Sequence, residues 1–133
     1  MKALKLFSDG ASSGNPGPAG IGVVIMDGKE EIEISKPIGI ATNNVAEYRA
    51  LIAGLEKAIK LGAEAVEIYA DSELVVRQIK GLYKVRDEDL LRLWKKTNDL
   101  LRRFKSYSIT HIPREENRKA DRLARQALKE KKL

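Results

Sequence analysis

Apolar residues recur along the chain in two rhythms, and the change between them near residue 44 separates a strand-rich start from a mixed remainder. Ala3 to Ser8 and Gly20 to Met26 read as strands, and Asp27-Gly28 signals a two-residue hairpin before the alternating Glu31-Ile32-Glu33-Ile34. From Asn44 the period becomes helical. Tyr48, Leu51, Ile52, Leu55, Ala58 and Ile59 share one face, and Leu61-Gly62 ends the run. Val66 to Ala70 is a short strand, after which Ser72 opens a brief helix through Leu74, Val75 and Ile79 to Gly81. Leu90, Trp94, Thr97, Leu101 and Phe104 mark a long helix from near Asp87, and Tyr107 to Ile112 a last strand. A final helix runs from Asn117 with Ala120, Leu123, Ala124, Ala127 and Leu128 on its inner side. Three hairpin-linked strands followed by alternating helices and strands predict an α/β fold: a mixed five-stranded sheet, strands 1–3 antiparallel, flanked by helices.

Composition narrows the class. A chain of 133 residues, without repeat or linker, is expected to form one domain over 1–133. The absence of cysteine excludes a disulfide framework and thiolate chemistry and fits a reducing, cytoplasmic setting. No apolar run is long enough to span a bilayer, so no membrane partner is expected. Twenty-five Lys and Arg against nineteen Asp and Glu give a formal charge of +6, which favours a polyanionic partner.

The candidate chemistry lies in four acids at element ends. Asp9 closes the first strand and leads into a glycine-rich stretch, residues 10–20, suited to a backbone that approaches a phosphate or sugar closely. Asp71 closes the fourth strand, and ligands of open α/β sheets collect beyond the carboxyl ends of adjacent parallel strands. Glu47 and Asp121 fall in the first turns of two helices that can lean toward the same rim. Each acid also has an ordinary explanation. Asn44 as N-cap with Glu47 three residues on resembles a capping box; Asp71 can cap the next helix; Asp121 can pair with Arg118, Arg122 or Arg125; Asp9 can start an Asx turn.

Taken together the blocks resemble the type 1 ribonuclease H family in its short form. Asp9-Gly10 with Gly14-Asn15-Pro16-Gly17, Thr42-Asn43-Asn44 ahead of Glu47, Asp71-Ser72, and Ala120-Asp121 are the family's motif blocks in order, over nearly the whole chain. The resemblance implies a metal-binding, catalytic carboxylate set of Asp9, Glu47, Asp71 and Asp121. It implies endonucleolytic hydrolysis of the RNA strand of an RNA–DNA hybrid by two Mg²⁺ ions, with Mn²⁺ substituting, leaving 5′-phosphate and 3′-hydroxyl ends. Two such ions ~3.5–4 Å apart clamp an in-line displacement at phosphorus. Gly10, Ser12, Asn15, Asn43, Asn44 and Glu47 are implied to line the hybrid's minor groove, with Thr42 near a DNA phosphate. Asn43-Asn44 can serve as cap and loop at the same time.

Two departures bear on binding. Glu73 and Arg77 stand where better-known bacterial members carry glutamines, and Gly81 to Arg86 leads almost directly to Asp87 where longer members insert a basic protrusion. Lys84, Arg86, Lys95, Lys96 and the tail Lys129 to Lys132 are candidates to replace its charge, or are solvated faces. His111, the sole histidine, and Arg114 are auxiliary candidates; a packed or edge histidine is the commoner outcome on a strand, and Arg can stabilise charge without moving a proton. A monomer is expected. The competing readings are a catalytically silent nucleic-acid-binding module of this fold and a broader nuclease that also cuts double-stranded RNA.

Overall fold

A computed structural model describes residues 2–130. Strands β1 (Ala3–Ser12), β2 (Gly17–Asp27) and β3 (Glu30–Ala41) form an antiparallel meander, followed by α1 (Asn43–Lys60), β4 (Ala65–Ala70), α2 (Glu73–Ile79), α3 (Glu88–Leu101), β5 (Ser106–His111) and α4 (Arg118–Glu130). The sheet order is β3-β2-β1-β4-β5, with β4 parallel to both β1 and β5. The mixed sheet predicted from the apolar pattern is therefore present.

The first strands are longer than the pattern indicated. β1 continues through Gly10 to Ser12 and β2 starts at Gly17, so the glycine-rich stretch is mostly strand with a turn at residues 13–16. Most of its glycines serve packing. A Cβ on Gly10 would lie 2.3 Å from the Ala46 carbonyl carbon, and one on Gly22 would lie 2.1 Å from Ala120 O, so α1 and α4 each approach the sheet only because these side chains are missing. The turn after β2 consists of Gly28 and Lys29, with Gly28 at φ 61° supplying the first-position glycine of a type II′ hairpin.

Alternation in β1 puts Leu4, Leu6 and Ser8 on the α1 side, while Phe7 and Asp9 face the α4 side. The main core lies between the sheet and α1, where Leu6, Ile25, Tyr48, Leu55 and Ile68 are fully buried. Burying each such apolar side chain contributes roughly 1.5–3 kcal/mol. α4 covers β2, β3 and β1 on the other face through Ala120, Leu123, Ala124 and Ala127. Its small residues let it sit directly on Gly20 and Gly22.

Sheet and helices thus converge on one end. β1 and β4 run parallel with Ser8 opposite Ala70, so Asp9, still paired with Gly22 inside β1, and Asp71, one residue past β4, come side by side; the sequence pattern ends β1 at Ser8, but its pairing with β2 carries it on to Ser12. Ile112 N–H donates to Ala70 O at 3.0 Å, and the single 3-10 turn at Arg114–Glu116 then delivers α4 to the same rim. No helix among the described residues is long and apolar enough to cross a membrane.

Candidate active site

Local caps decide where the acids point. Thr42, rather than Asn44, caps α1: its Oγ1 accepts from Val45 N–H at 3.2 Å. Glu47 therefore sits past the first turn, free of capping. Its Oε1 accepts from Gly10 N–H at 2.6 Å instead. Ser72, rather than Asp71, caps α2 through a 3.2 Å bond from Val75 N–H. Asp9 lies within a strand and makes no Asx turn. Three of the ordinary explanations thus fail, and only Asp121 keeps its expected partner, Arg125, whose Nε reaches its two oxygens at 3.1 and 3.2 Å.

Released from those roles, Asp9, Glu47 and Asp71 each present a carboxylate oxygen, and the three atoms lie within 4.8 Å of one another. Asp9 is only 5% exposed. Burial first, then Glu47 and Asp71 beside it, push its carboxyl up to about 10. Glu47 is raised to about 7, chiefly by burial and partly by Asp71, against the favourable contacts from Asp9 and Gly10 N–H. Burial and crowding together thus favour the protonated form of Asp9. Asp121 borders the cluster; although burial opposes it, contacts with Asp9, Arg125 and Arg114 hold its carboxyl below the usual range.

The donor set fits a hard divalent cation. Carboxylate oxygens are what Mg²⁺ takes, and their span is close to the ~4 Å width of its coordination shell. Crowding that holds a proton on Asp9 in the metal-free protein is the crowding a cation would relieve.

Asn117 escaped the reading of the sequence, where it only opened the last helix. It is buried, and its Nδ2 donates to Ser8 O at 2.9 Å and to Asp71 Oδ2 at 3.3 Å, tying the start of α4 to both β1 and Asp71. Nothing in its local pattern marks it, because burial at a helix start is set by the loop before it.

The remaining candidates divide. Asn43 Oδ1 accepts from Ser12 N–H at 3.1 Å, and Asn15 Oδ1 accepts from Asn43 N–H at 3.0 Å, so these residues lock the β1–β2 turn to the start of α1. Asn44 is exposed beside them. Arg114 Nη2 lies 3.6 Å from Asp121 Oδ1, whereas His111 is exposed at the end of β5, in register with Ala70. Glu73 is paired with Arg77 at 3.0 Å, which also sits over the Tyr83 ring. Lys96 lies 3.8 Å from Glu56; Lys84, Arg86 and Lys95 are exposed. Residues 131–132 of the basic tail lie outside the described residues.

A family model described as reverse transcriptase-like matches residues 7–127. The chain is 48% identical over 124 residues to a ribonuclease HI of Halobacterium salinarum, covering 92% of this chain and 62% of that protein. It is 47% identical over 131 residues to a bifunctional protein of Mycobacterium tuberculosis, covering 96% of this chain and 36% of the relative. The chain thus spans between about a third and two thirds of these relatives' lengths. It superposes on a ribonuclease H1 isolated from compost with a TM-score of 0.92 at 43% identity, each chain fully covered. A structure of that compost protein in complex with an RNA/DNA hybrid gives a TM-score of 0.89 at 40% identity, covering 98% and 99% of the two chains. The chain belongs to the ribonuclease H1 family, in its short form.

Proposed function

We propose that this protein is a metal-dependent endonuclease that hydrolyses the RNA strand of RNA–DNA hybrids, with Asp9, Glu47, Asp71 and Asp121 as its metal-holding, catalytic carboxylates. The observation that carries the reading is the convergence of Asp9 from within β1, Asp71 from just past β4 and Glu47 from α1, oxygens within 4.8 Å, on a chain whose formal charge is +6. A purely structural site has little reason to crowd three acids together.

Mg²⁺, or Mn²⁺ in its place, would supply Lewis acidity here, activating a water and neutralising the leaving 3′-oxygen, most simply as a pair of ions. The chain's own residues do the rest. Gly10 N–H holds Glu47 and Asn117 Nδ2 holds Asp71, so these two carboxylates are oriented before substrate arrives. Arg114, mostly exposed and 3.6 Å from Asp121, would meet the negative charge that builds on the phosphate.

Strand choice follows from the turn. With the Oδ1 atoms of Asn15 and Asn43 used inside the protein, their Nδ2 groups have no protein acceptor among the described residues and remain donors for a ribose 2′-hydroxyl. Ser12 and Gly10 supply the backbone of that wall and the exposed Asn44 continues it, while Thr42 is the group read as near a DNA phosphate. The partner is then an RNA–DNA hybrid duplex, read by shape and sugar more than by sequence.

The test is cleavage of matched RNA–DNA, RNA–RNA and DNA–DNA duplexes with Mg²⁺, Mn²⁺ or chelator. Cuts confined to the RNA of the hybrid, requiring metal and leaving 5′-phosphates, are expected. Comparable cutting of RNA–RNA would broaden the activity, binding without any cutting would make the protein a binding module, and cutting of DNA–DNA would end the ribonuclease reading.

A further inference from the structure

Beyond the acid cluster, α4 carries a charge pattern that folding does not require. Between Arg118 and Lys129 it holds five basic residues, Arg118, Lys119, Arg122, Arg125 and Lys129, and one acid, Asp121. Its inner stripe of Ala120, Leu123, Ala124 and Ala127 already fastens it to the sheet. α3 makes the contrast: its exposed side mixes signs and pairs Arg92 with Asp89 and Arg102 with Asp99, whereas on α4 Lys119 pairs with Glu31 and Arg125 with Asp121, and Arg118, Arg122 and Lys129 have no acid partner among the described residues. A helix that only needs solvation is served by such pairs. Placing Arg118 and Lys119 in the first turn even runs against the helix dipole.

The basic residues are not spread evenly. Arg122, Arg125 and Lys129, spaced i, i+3, i+7, line one side of a cleft of about 850 Å³ that begins at Asp121 and is closed on its other side by Ser13 and Pro18 of the β1–β2 hairpin. Arg125 is engaged with Asp121, but Arg122 and Lys129 are exposed and have no acid within ion-pairing distance among the described residues. The hairpin separates this cleft from the asparagine-lined wall, so the two sides of the turn face different parts of a bound duplex.

We propose that this cleft is a backbone track for nucleic acid, in which Arg122 and Lys129 each hold a phosphate of the cut strand beyond the scissile position. The proposal rests on the ribonuclease reading of the site. From Asp121 to Lys129 the helix advances ~12 Å at ~1.5 Å per residue. That equals roughly three to four nucleotides at ~3.4 Å per step. The track therefore extends the footprint on the side of the acids away from the asparagines, with charge as its means of attraction.

Equilibrium binding of a hybrid duplex, in chelator so that no cutting occurs, measured across a salt series, decides the matter. Each phosphate neutralised adds ~0.9 to the slope of log affinity against log salt. The double variant Arg122→Gln, Lys129→Gln is expected to lower that slope by about 2 and to weaken binding about tenfold at low salt, converging with the wild type at high salt. Lys29→Gln, in the turn at the far end of the sheet, is expected to change neither. Arg122→Lys with Lys129→Arg keeps the charge and is expected to bind as the wild type does; if it binds as weakly as the glutamine variant, the track is overturned. A wild type that binds hybrid while the glutamine variant keeps its slope and affinity overturns the track alone. A wild type that fails to bind hybrid in chelator at any salt concentration overturns the track, while the function beneath it is overturned only if hybrid cleavage in Mg²⁺ is also absent.

Discussion

Gly10 N–H donates to Glu47 Oε1 at 2.6 Å, so the strand that carries Asp9 and the helix that carries Glu47 are joined by one hydrogen bond at the centre of the acid cluster. The contact exists because Gly10 has no side chain. A Cβ there would sit 2.3–2.5 Å from the backbone of Ala46 and Glu47, which cannot move aside singly. Gly10→Ala is expected to push α1 off β1, costing at least about 1–3 kcal/mol of stability as an overpacked contact. Thermal unfolding checks the cost, and the Mg²⁺-induced rise in melting temperature is expected to shrink with it.

The same cluster makes metal-free stability depend on pH. In the native state Glu47 titrates at about 7 and Asp9 at about 10, both above their ordinary values. Between those ordinary values and the raised ones, the native protein holds protons that the unfolded chain has released, so raising the pH favours unfolding. Melting temperature in chelator is expected to fall from about pH 5 through pH 7 and on toward pH 10. Asp121, held low, acts oppositely, its contribution being lost only in acid. Because a cation needs the ionised carboxylates, the rise in melting temperature on adding Mg²⁺ is expected to grow over the same interval.

Asp9→Asn separates stability from activity. The amide is neutral without taking up a proton on folding, so the variant is expected to melt above the wild type at pH 8 in chelator, to gain no stability from Mg²⁺, and to lose hybrid cleavage by at least about 10²-fold, the upper range for disturbing a metal's surroundings. Retained cleavage in a folded Asp9→Asn or Asp71→Asn protein would remove these residues from the proposed site.

Capping gives a prediction in which two neighbouring residues differ. Thr42→Ala removes the bond to Val45 N–H and is expected to cost ~1 kcal/mol. Asn44→Ala removes no hydrogen bond that the structure contains and is expected to leave the melting temperature within about 0.5 kcal/mol of the wild type. If hybrid binding then falls in Asn44→Ala alone, that side chain acts on substrate.

Arg114 and His111 are likewise separable. Arg114 lies 3.6 Å from Asp121 while His111 touches none of the four acids. Arg114→Ala is expected to lower kcat by up to about 10²-fold, the lower end for losing one charge-stabilising donor. His111→Ala is expected to leave kcat unchanged, read under single-turnover conditions.

Much of this was legible in the residue pattern, for identifiable reasons. The two periods of the apolar residues gave every strand and helix, since one-sided burial imposes them on any chain that packs against a sheet. The glycine-rich stretch misled only in extent. Gly10 and Gly17 look like turn residues because sequence does not distinguish freedom of φ from room for a neighbour, and here room is the reason. The pattern leaves the caps open at Asn44 and Asp71 for a related cause: several capping residues stand in a row, and which one caps depends on where the preceding strand stops.

What the sequence determined by itself is the set of elements, the mixed sheet and the four candidate acids, because periodicity and element order are local properties of the chain. What only the tertiary structure decided is how those ends meet. The crossing of α1 on β1 through Gly10, the reach of Asn117 to Asp71 across 46 positions, and the cleft between α4 and the β1–β2 hairpin all join residues distant in sequence. Such contacts are fixed by packing of whole elements against one another, and no window along the chain contains them.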